Sequence, residues 1–252
     1  MTGTTNGAGL DGRAALVTGG SRGIGAAIAR RLASDGADVA ITYVSAPERA
    51  AGVVGAIEAS GRRGLAIEAD SADPGAVATA VDRAASGLGR LDVLVNNAGV
   101  FPTGTVEQTA LGDVDRTLAV HVRAPFVATR AALAHMGPGG RVISIGSCFA
   151  ERVPYPGVSL YAMSKAALLG LTRGLARDLG ERGITATVVH PGSTDTDMNP
   201  ADAPEAEAER ELIALGHYAE PDDVAATVSH LAGDGGRYIT GTAIAVDGGF
   251  AA

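Results

Sequence analysis

Along this chain, short runs of apolar residues alternate with longer stretches in which apolar positions recur every three or four residues. Period and length separate the two patterns: the short runs read as strands, the long ones as amphipathic helices. Strands are expected over residues 14–18, 38–43, 64–69, 91–96, 141–146, 185–190 and 243–246. Helices are expected over 24–34, 48–60, 75–85, 113–135, 161–181 and 222–232. Most strand runs are apolar at nearly every position, as strands are when helices cover both faces of a parallel sheet. The expectation is therefore a single α/β domain with a doubly wound parallel sheet over residues 10–252, preceded by a loose polar tail, 1–9. Gly36, Gly61 and Gly183 fall where helices should stop. One stretch breaks the rhythm: residues 193–216, with Asp195, Asp197, Pro200, Pro204 and an Ala/Glu-rich run. It follows the sixth strand, so it belongs at the carboxyl end of the sheet, where ligands bind, and it is expected to be either a lid or a solvated surface helix.

Composition leaves this picture intact and narrows the partners. The 252 residues are 46% hydrophobic and 19% charged, with a net charge of −8 and no Lys/Arg run. That balance argues against a nucleic acid or an anionic membrane as partner. No apolar stretch is long enough to span a bilayer. The single cysteine, Cys148, can form no internal disulfide, which fits a cytoplasmic location. His135, His190, His217 and His230 show no metal-ligand spacing, and no metal is expected.

Candidate chemistry lies in two segments. Gly19, Ser21, Arg22, Gly23, Ile24 and Gly25 follow the first strand and open the first helix. Small residues there let the backbone turn tightly and bring helix N–H groups up to a pyrophosphate. Far downstream, Tyr161 and Lys165 are four residues apart and share one helix face, with Ser147 ending the fifth strand. A free phenol titrates near ~10, and a neighbouring ammonium is expected to lower that value. Tyr161 then exchanges a proton with a carbonyl or alcohol oxygen, and Ser147 bonds the same oxygen.

Taken together, Thr18-Gly19-x-x-x-Gly23-x-Gly25, Asn96-Asn97-Ala98-Gly99, Tyr161-x-x-x-Lys165, Pro191-Gly192 and the Asp247-Gly248-Gly249 ending resemble the short-chain dehydrogenase/reductase family. The motifs occur in the family's order and cover nearly the whole chain. The second strand ends at Tyr43 and Ser45 with no carboxylate to repel a phosphate, and Arg22 offers a guanidinium. Resemblance to members so arranged implies NADPH, with Tyr43 and Ser45 lining its phosphate pocket. It also implies that Asp70 and Ser71 meet the adenine, and that Asn97, Ala98 and Gly99 lie beside the adenosine ribose. Asn96 would brace the sheet, and Lys165 would hold the nicotinamide ribose. Pro191 and Gly192 would pack on the nicotinamide, with the Thr194 backbone and Thr196 hydroxyl at its carboxamide and phosphate. Relatives are usually homotetramers, paired through the helices over 113–135 and 161–181.

One position departs from the family. Its catalytic asparagine aligns with His121, and a neutral imidazole there is expected either to hold the same relay water or to be a tolerated substitution. The spacing from Ser147 to Tyr161 is one residue longer than in many members and resembles a subset that includes fungal naphthol reductases. The resulting reading is NADPH-dependent reduction of a small-molecule ketone, or the reverse oxidation. Two other readings stand beside it: a non-catalytic NADP(H)-binding regulator, and an NAD-dependent alcohol dehydrogenase.

Overall fold

The structure, a computed structural model, describes residues 9–252, so all of the expected tail except Gly9 lies outside the described residues. Seven strands form one sheet: β1 (Ala14–Val17), β2 (Asp38–Tyr43), β3 (Gly64–Glu68), β4 (Val93–Asn96), β5 (Arg141–Ile145), β6 (Thr185–Pro191) and β7 (Thr242–Val246). Their order is β3-β2-β1-β4-β5-β6-β7, and every neighbouring pair is parallel.

Alternate strand residues face opposite sides, and in the inner strands β1, β2, β4, β5 and β6 both sides are dry. Ala15, Val17, Val39, Ile41, Val93 and Val95 pack under α1 (Gly23–Ser34), α2 (Pro47–Ala59) and α8 (Pro221–Ala232). Ala14, Leu16, Ala40, Leu94 and Val142 pack under α3 (Pro74–Leu88), α5 (Ala124–Ala132) and α6 (Ser159–Leu179). Each fully buried Leu or Ile contributes roughly 1.5–3 kcal/mol. This two-faced burial is why the strand runs lack a polar alternation.

The expected helix over 113–135 is interrupted. It divides into α4 (Leu111–Leu118), a π turn over Ala119–Arg123 and α5. Pro125 supplies the reason: it has no N–H to give the carbonyl of His121, and its ring crowds that carbonyl. Residues 193–216 hold only one short helix, α7 (Ala206–Arg210), the rest being turns and isolated bridges. Chain direction across the sheet reverses between β1 and β4, and a cleft opens there at the carboxyl ends of the strands.

Candidate active site

The cleft has a volume of about 550 Å³ and draws its lining from both halves of the sheet. Its floor is the turn between β1 and α1. Gly19 and Gly23 have φ of +64° and +51°, in the left-handed region. At Gly25 a Cβ would lie 2.4 Å from Asn97 Nδ2 and 2.5 Å from the Gly19 carbonyl. No side chain caps α1 at Arg22, so the N–H groups of its first turn are left for something else. Asn97 Nδ2 donates to the carbonyls of Thr18 (2.9 Å) and Gly19 (3.1 Å), and the Thr18 hydroxyl accepts from the N–H of Asn97 and Ala98. Asn97, expected beside the adenosine ribose, thus also braces the glycine turn. Asn96 is buried in β4, and its Nδ2 has no partner.

Around one end of the cleft lie Arg22, Tyr43, Ser45, Asp70 and Ser71, together with Glu48 and Arg49 from the start of α2. Glu48 was not anticipated: β2 ends without a carboxylate, yet α2 brings one to the same rim. Arg49 pairs with Asp197 across the cleft mouth. Opposite the glycine turn, Pro191, Gly192, Thr194 and Thr196 complete the lining. Thr196 faces the turn closely enough that a Cβ on Gly23 would lie 3.3 Å from its methyl carbon. The Thr194 hydroxyl donates to the Gly192 carbonyl at 3.0 Å, which leaves that residue's backbone for any other contact.

At the other end, Ser147, Tyr161 and Lys165 converge. Lys165 is buried and donates to the Ile145 carbonyl at 2.9 Å, with its Nζ 5.6 Å from the centre of the Tyr161 ring. Burial alone pushes the lysine down to about 8. Burial likewise pushes the Tyr161 phenol up to about 12, against a hydrogen bond with Ser147 that draws it down. The direction is opposite to the one expected for Tyr161: desolvation raises the phenol, and the Ser147 hydrogen bond offsets it only in part. Phe101 meets the Tyr161 ring edge-on at 4.7 Å, and Phe149 stands 6.1 Å away. Cys148, beside Ser147, is buried with its thiol pushed up to about 12 by desolvation, an inert small hydrophobe.

His121 lies in the π turn, 1% exposed. Its Nε2 accepts the Val100 N–H at 2.9 Å, and its Nδ1 lies 2.8 Å from the Ser164 hydroxyl. Both ring nitrogens are thus held by protein atoms, and the imidazole has no free position for the relay water expected of it. Three further residues of this site went unread in the sequence. His190 Nδ1 accepts the Ser147 N–H at 3.0 Å and so fixes the end of β5. Gly146 makes room for it, since a Cβ there would meet that nitrogen at 2.1 Å. Glu209, on α7, accepts from Tyr155 (3.3 Å), Asn199 (3.0 Å) and Tyr218 (2.9 Å) and lines the cleft above Tyr161. Only Pro125, inside an otherwise helical pattern, carried a local signal, and it marks the π turn that seats His121. Among the described residues no cluster of His, Cys, Asp or Glu is arranged to hold a metal ion.

Known proteins resemble this chain in sequence and fold. A family model described as enoyl-(acyl carrier protein) reductase matches residues 19–251. The chain is 61% identical to a short-chain dehydrogenase from Burkholderia cenocepacia J2315 solved in complex with NADP, with a TM-score of 0.96 over 97% of this chain and 100% of that one. It is 42% identical over 241 residues to the cyclic-di-GMP-binding biofilm dispersal mediator protein of Escherichia coli K12, spanning 96% of this chain and 98% of the relative. It is 38% identical over 253 residues to a versicolorin reductase of Emericella nidulans, spanning 95% of this chain and 96% of the relative. With its motifs, its sheet order and nearly its whole length matched, the chain belongs to the short-chain dehydrogenase/reductase family.

Proposed function

We propose that the protein reduces ketones with NADPH, or runs the reverse oxidation, with Tyr161 as the acid/base group. The observation that carries this is the convergence of Ser147, Tyr161 and Lys165 at one end of a cleft whose other end suits a phosphorylated dinucleotide. The fit of the cofactor is supported by the cleft's own geometry. Uncapped N–H groups of α1 and three glycines that admit no Cβ make room for a diphosphate. Arg22 supplies positive charge at the rim that Ser45 and the Asp197-paired Arg49 also line, which suits a 2′-phosphate. The Burkholderia relative, solved with NADP, supports the same choice. Asp70, Ser71, Ala98 and Gly99 line the adenosine side, and Pro191, Gly192, Thr194 and Thr196 the nicotinamide side.

When bound, the nicotinamide supplies or takes the hydride. The chain's residues do the rest. Ser147 and Tyr161 hydrogen-bond the carbonyl oxygen and hold its carbon toward Gly192. Tyr161 gives that oxygen a proton during reduction and accepts one during oxidation. Lys165, one helical turn away, holds the ribose and keeps positive charge beside the phenol. Residues 193–216 act as a lid, with Met198 and Asn199 lining the cleft and Glu209 tying Asn199 to Tyr155 and Tyr218 through three hydrogen bonds.

Apart from Lys165 and Glu209, the substrate end is aromatic and uncharged. Phe101, Phe149 and Tyr161 form its walls, which supports a neutral, ring-bearing ketone over an anionic or carrier-bound acid. The versicolorin reductase relative supports the same class. Exposed Leu111, Phe126 and Met163 on α4, α5 and α6 support association through those helices, as a homotetramer.

NADPH oxidation against cyclic, aromatic and β-keto ketones and quinones, with Tyr161→Phe in parallel, tests the reading. Turnover of at least one ketone is expected, falling about 10²- to 10⁴-fold in the variant while NADPH binding persists. Undiminished turnover in Tyr161→Phe would remove the tyrosine from the chemistry. Tight NADPH binding with no turnover anywhere would favour the regulator, a reading that the name of the E. coli relative makes worth testing.

A further inference from the structure

We propose that His121 is a positioning residue, a neutral imidazole that ties the loop after β4 to the catalytic turn of α6. One donor here is fixed in identity. The Val100 N–H can only donate, so Nε2 of His121 must present a lone pair. In a neutral imidazole the proton then sits on Nδ1, which donates to Ser164 Oγ at 2.8 Å. The Ser164 hydroxyl is left free to donate, and its acceptor is the carbonyl of Tyr161 at 2.7 Å. Three bonds run head to tail, Val100 to His121 to Ser164 to Tyr161, with no donor facing a donor.

A protonated ring would break this order. The new Nε2–H would point at the Val100 N–H, inside a pocket with no carboxylate partner for it. The titratable groups packed around the ring are Lys165 from α6 and Tyr161, whose ring meets it edge-on with centres 5.6 Å apart. Burial first, and the Lys165 charge second, push His121 down to about 3, so the neutral form persists over any working pH. The link joins places the reaction must keep in register. The loop over residues 97–101 borders the cleft beside Lys165, a Cβ on Gly99 lying 3.2 Å from His121 Nε2 and 3.7 Å from Lys165 Nζ. The Tyr161 carbonyl belongs to the residue whose phenol handles the proton.

The inference rests on Tyr161 as the acid/base group, but its first test does not. Nitrogen-15 NMR of the histidine rings in the protein without ligand should show His121 protonated on Nδ1, with an Nε2 shift that stays constant between about pH 5 and 9. A proton on Nε2, or titration within that window, overturns the proposal whatever the protein catalyses. The second test is a cycle of His121→Phe, Ser164→Ala and the double variant, assayed on a ketone the wild type reduces. H121F fills the same space without either bond, and kcat should fall about 10- to 100-fold. Because the bonds form one chain, the double variant should fall little further than H121F alone. Wild-type kcat in H121F, or fully additive losses in the double variant, would overturn the tether. If H121F fails to fold, S164A keeps the fold question separate, since it removes the middle link by one oxygen atom.

Discussion

At the level of single residues, burial rather than pairing sets the chemistry of the site. Lys165 and Tyr161 are displaced in opposite senses by the same cause, the lysine down to about 8 and the tyrosine up to about 12. The pH profile should therefore carry the signature of the lysine. Tyr161 keeps its proton throughout the working range, while Lys165 loses its own as pH rises through about 8. Accordingly kcat/KM for reduction, which reports the free enzyme, should be level below that pH and decline above it. Lys165→Arg cannot lose its charge and should flatten the decline, at a lower absolute rate. A wild-type profile that stays level to pH 10 would show that this group does not control the reaction.

At the level of elements, two features bring distant parts of the chain together. The first is the glycine turn, where absence of a side chain is the structural requirement. A Cβ on Gly25 would press on both Asn97 Nδ2 and the Gly19 carbonyl, and the Asn97 brace would have to give. Gly25→Ala should cost about 1–3 kcal/mol in denaturant unfolding and weaken NADPH binding more than tenfold. Retention of both would mean that the turn is looser than its contacts imply. The second is the break between α4 and α5. A continuous helix carries each side chain at a fixed angle from the last, and the extra residue of a π turn resets that angle. His121 points inward because of that reset, and Pro125 is what makes it necessary.

For the whole molecule, the cleft joins two halves of the sheet, so filling it should stabilise the fold as a unit. At a concentration about 100 times its Kd, NADPH should add about 2.7 kcal/mol, roughly 5–10 °C in Tm for a domain this size. NADH at equal concentration should add much less. Arg22→Ala should reduce the difference by weakening NADPH alone, about 10- to 100-fold in Kd, through loss of a charge-assisted contact. Equal shifts from both cofactors in the wild type would return the NAD-dependent reading to favour, with Glu48 the residue to examine.

The sequence by itself determined the sheet, because strands buried on both faces must be apolar throughout and helices over them must be amphipathic. It also determined the glycine turn and the Tyr161/Lys165 pair, since each depends on spacing within a single element. Only the tertiary structure decided what lies between elements. That Asn97 braces the turn, that His190 holds Ser147 and that Glu209 takes a hydrogen bond from Tyr155 all depend on contacts across 43 residues or more of chain. The same holds for His121. From sequence it was a departure in a helix, read either as an imidazole holding water or as a tolerated substitution. In the fold, a proline four residues on breaks the helix, and partners 21 positions before it and 43 after it take both ring nitrogens. Local periodicity records which face of an element is dry; it does not record which polar groups meet once the dry faces have closed.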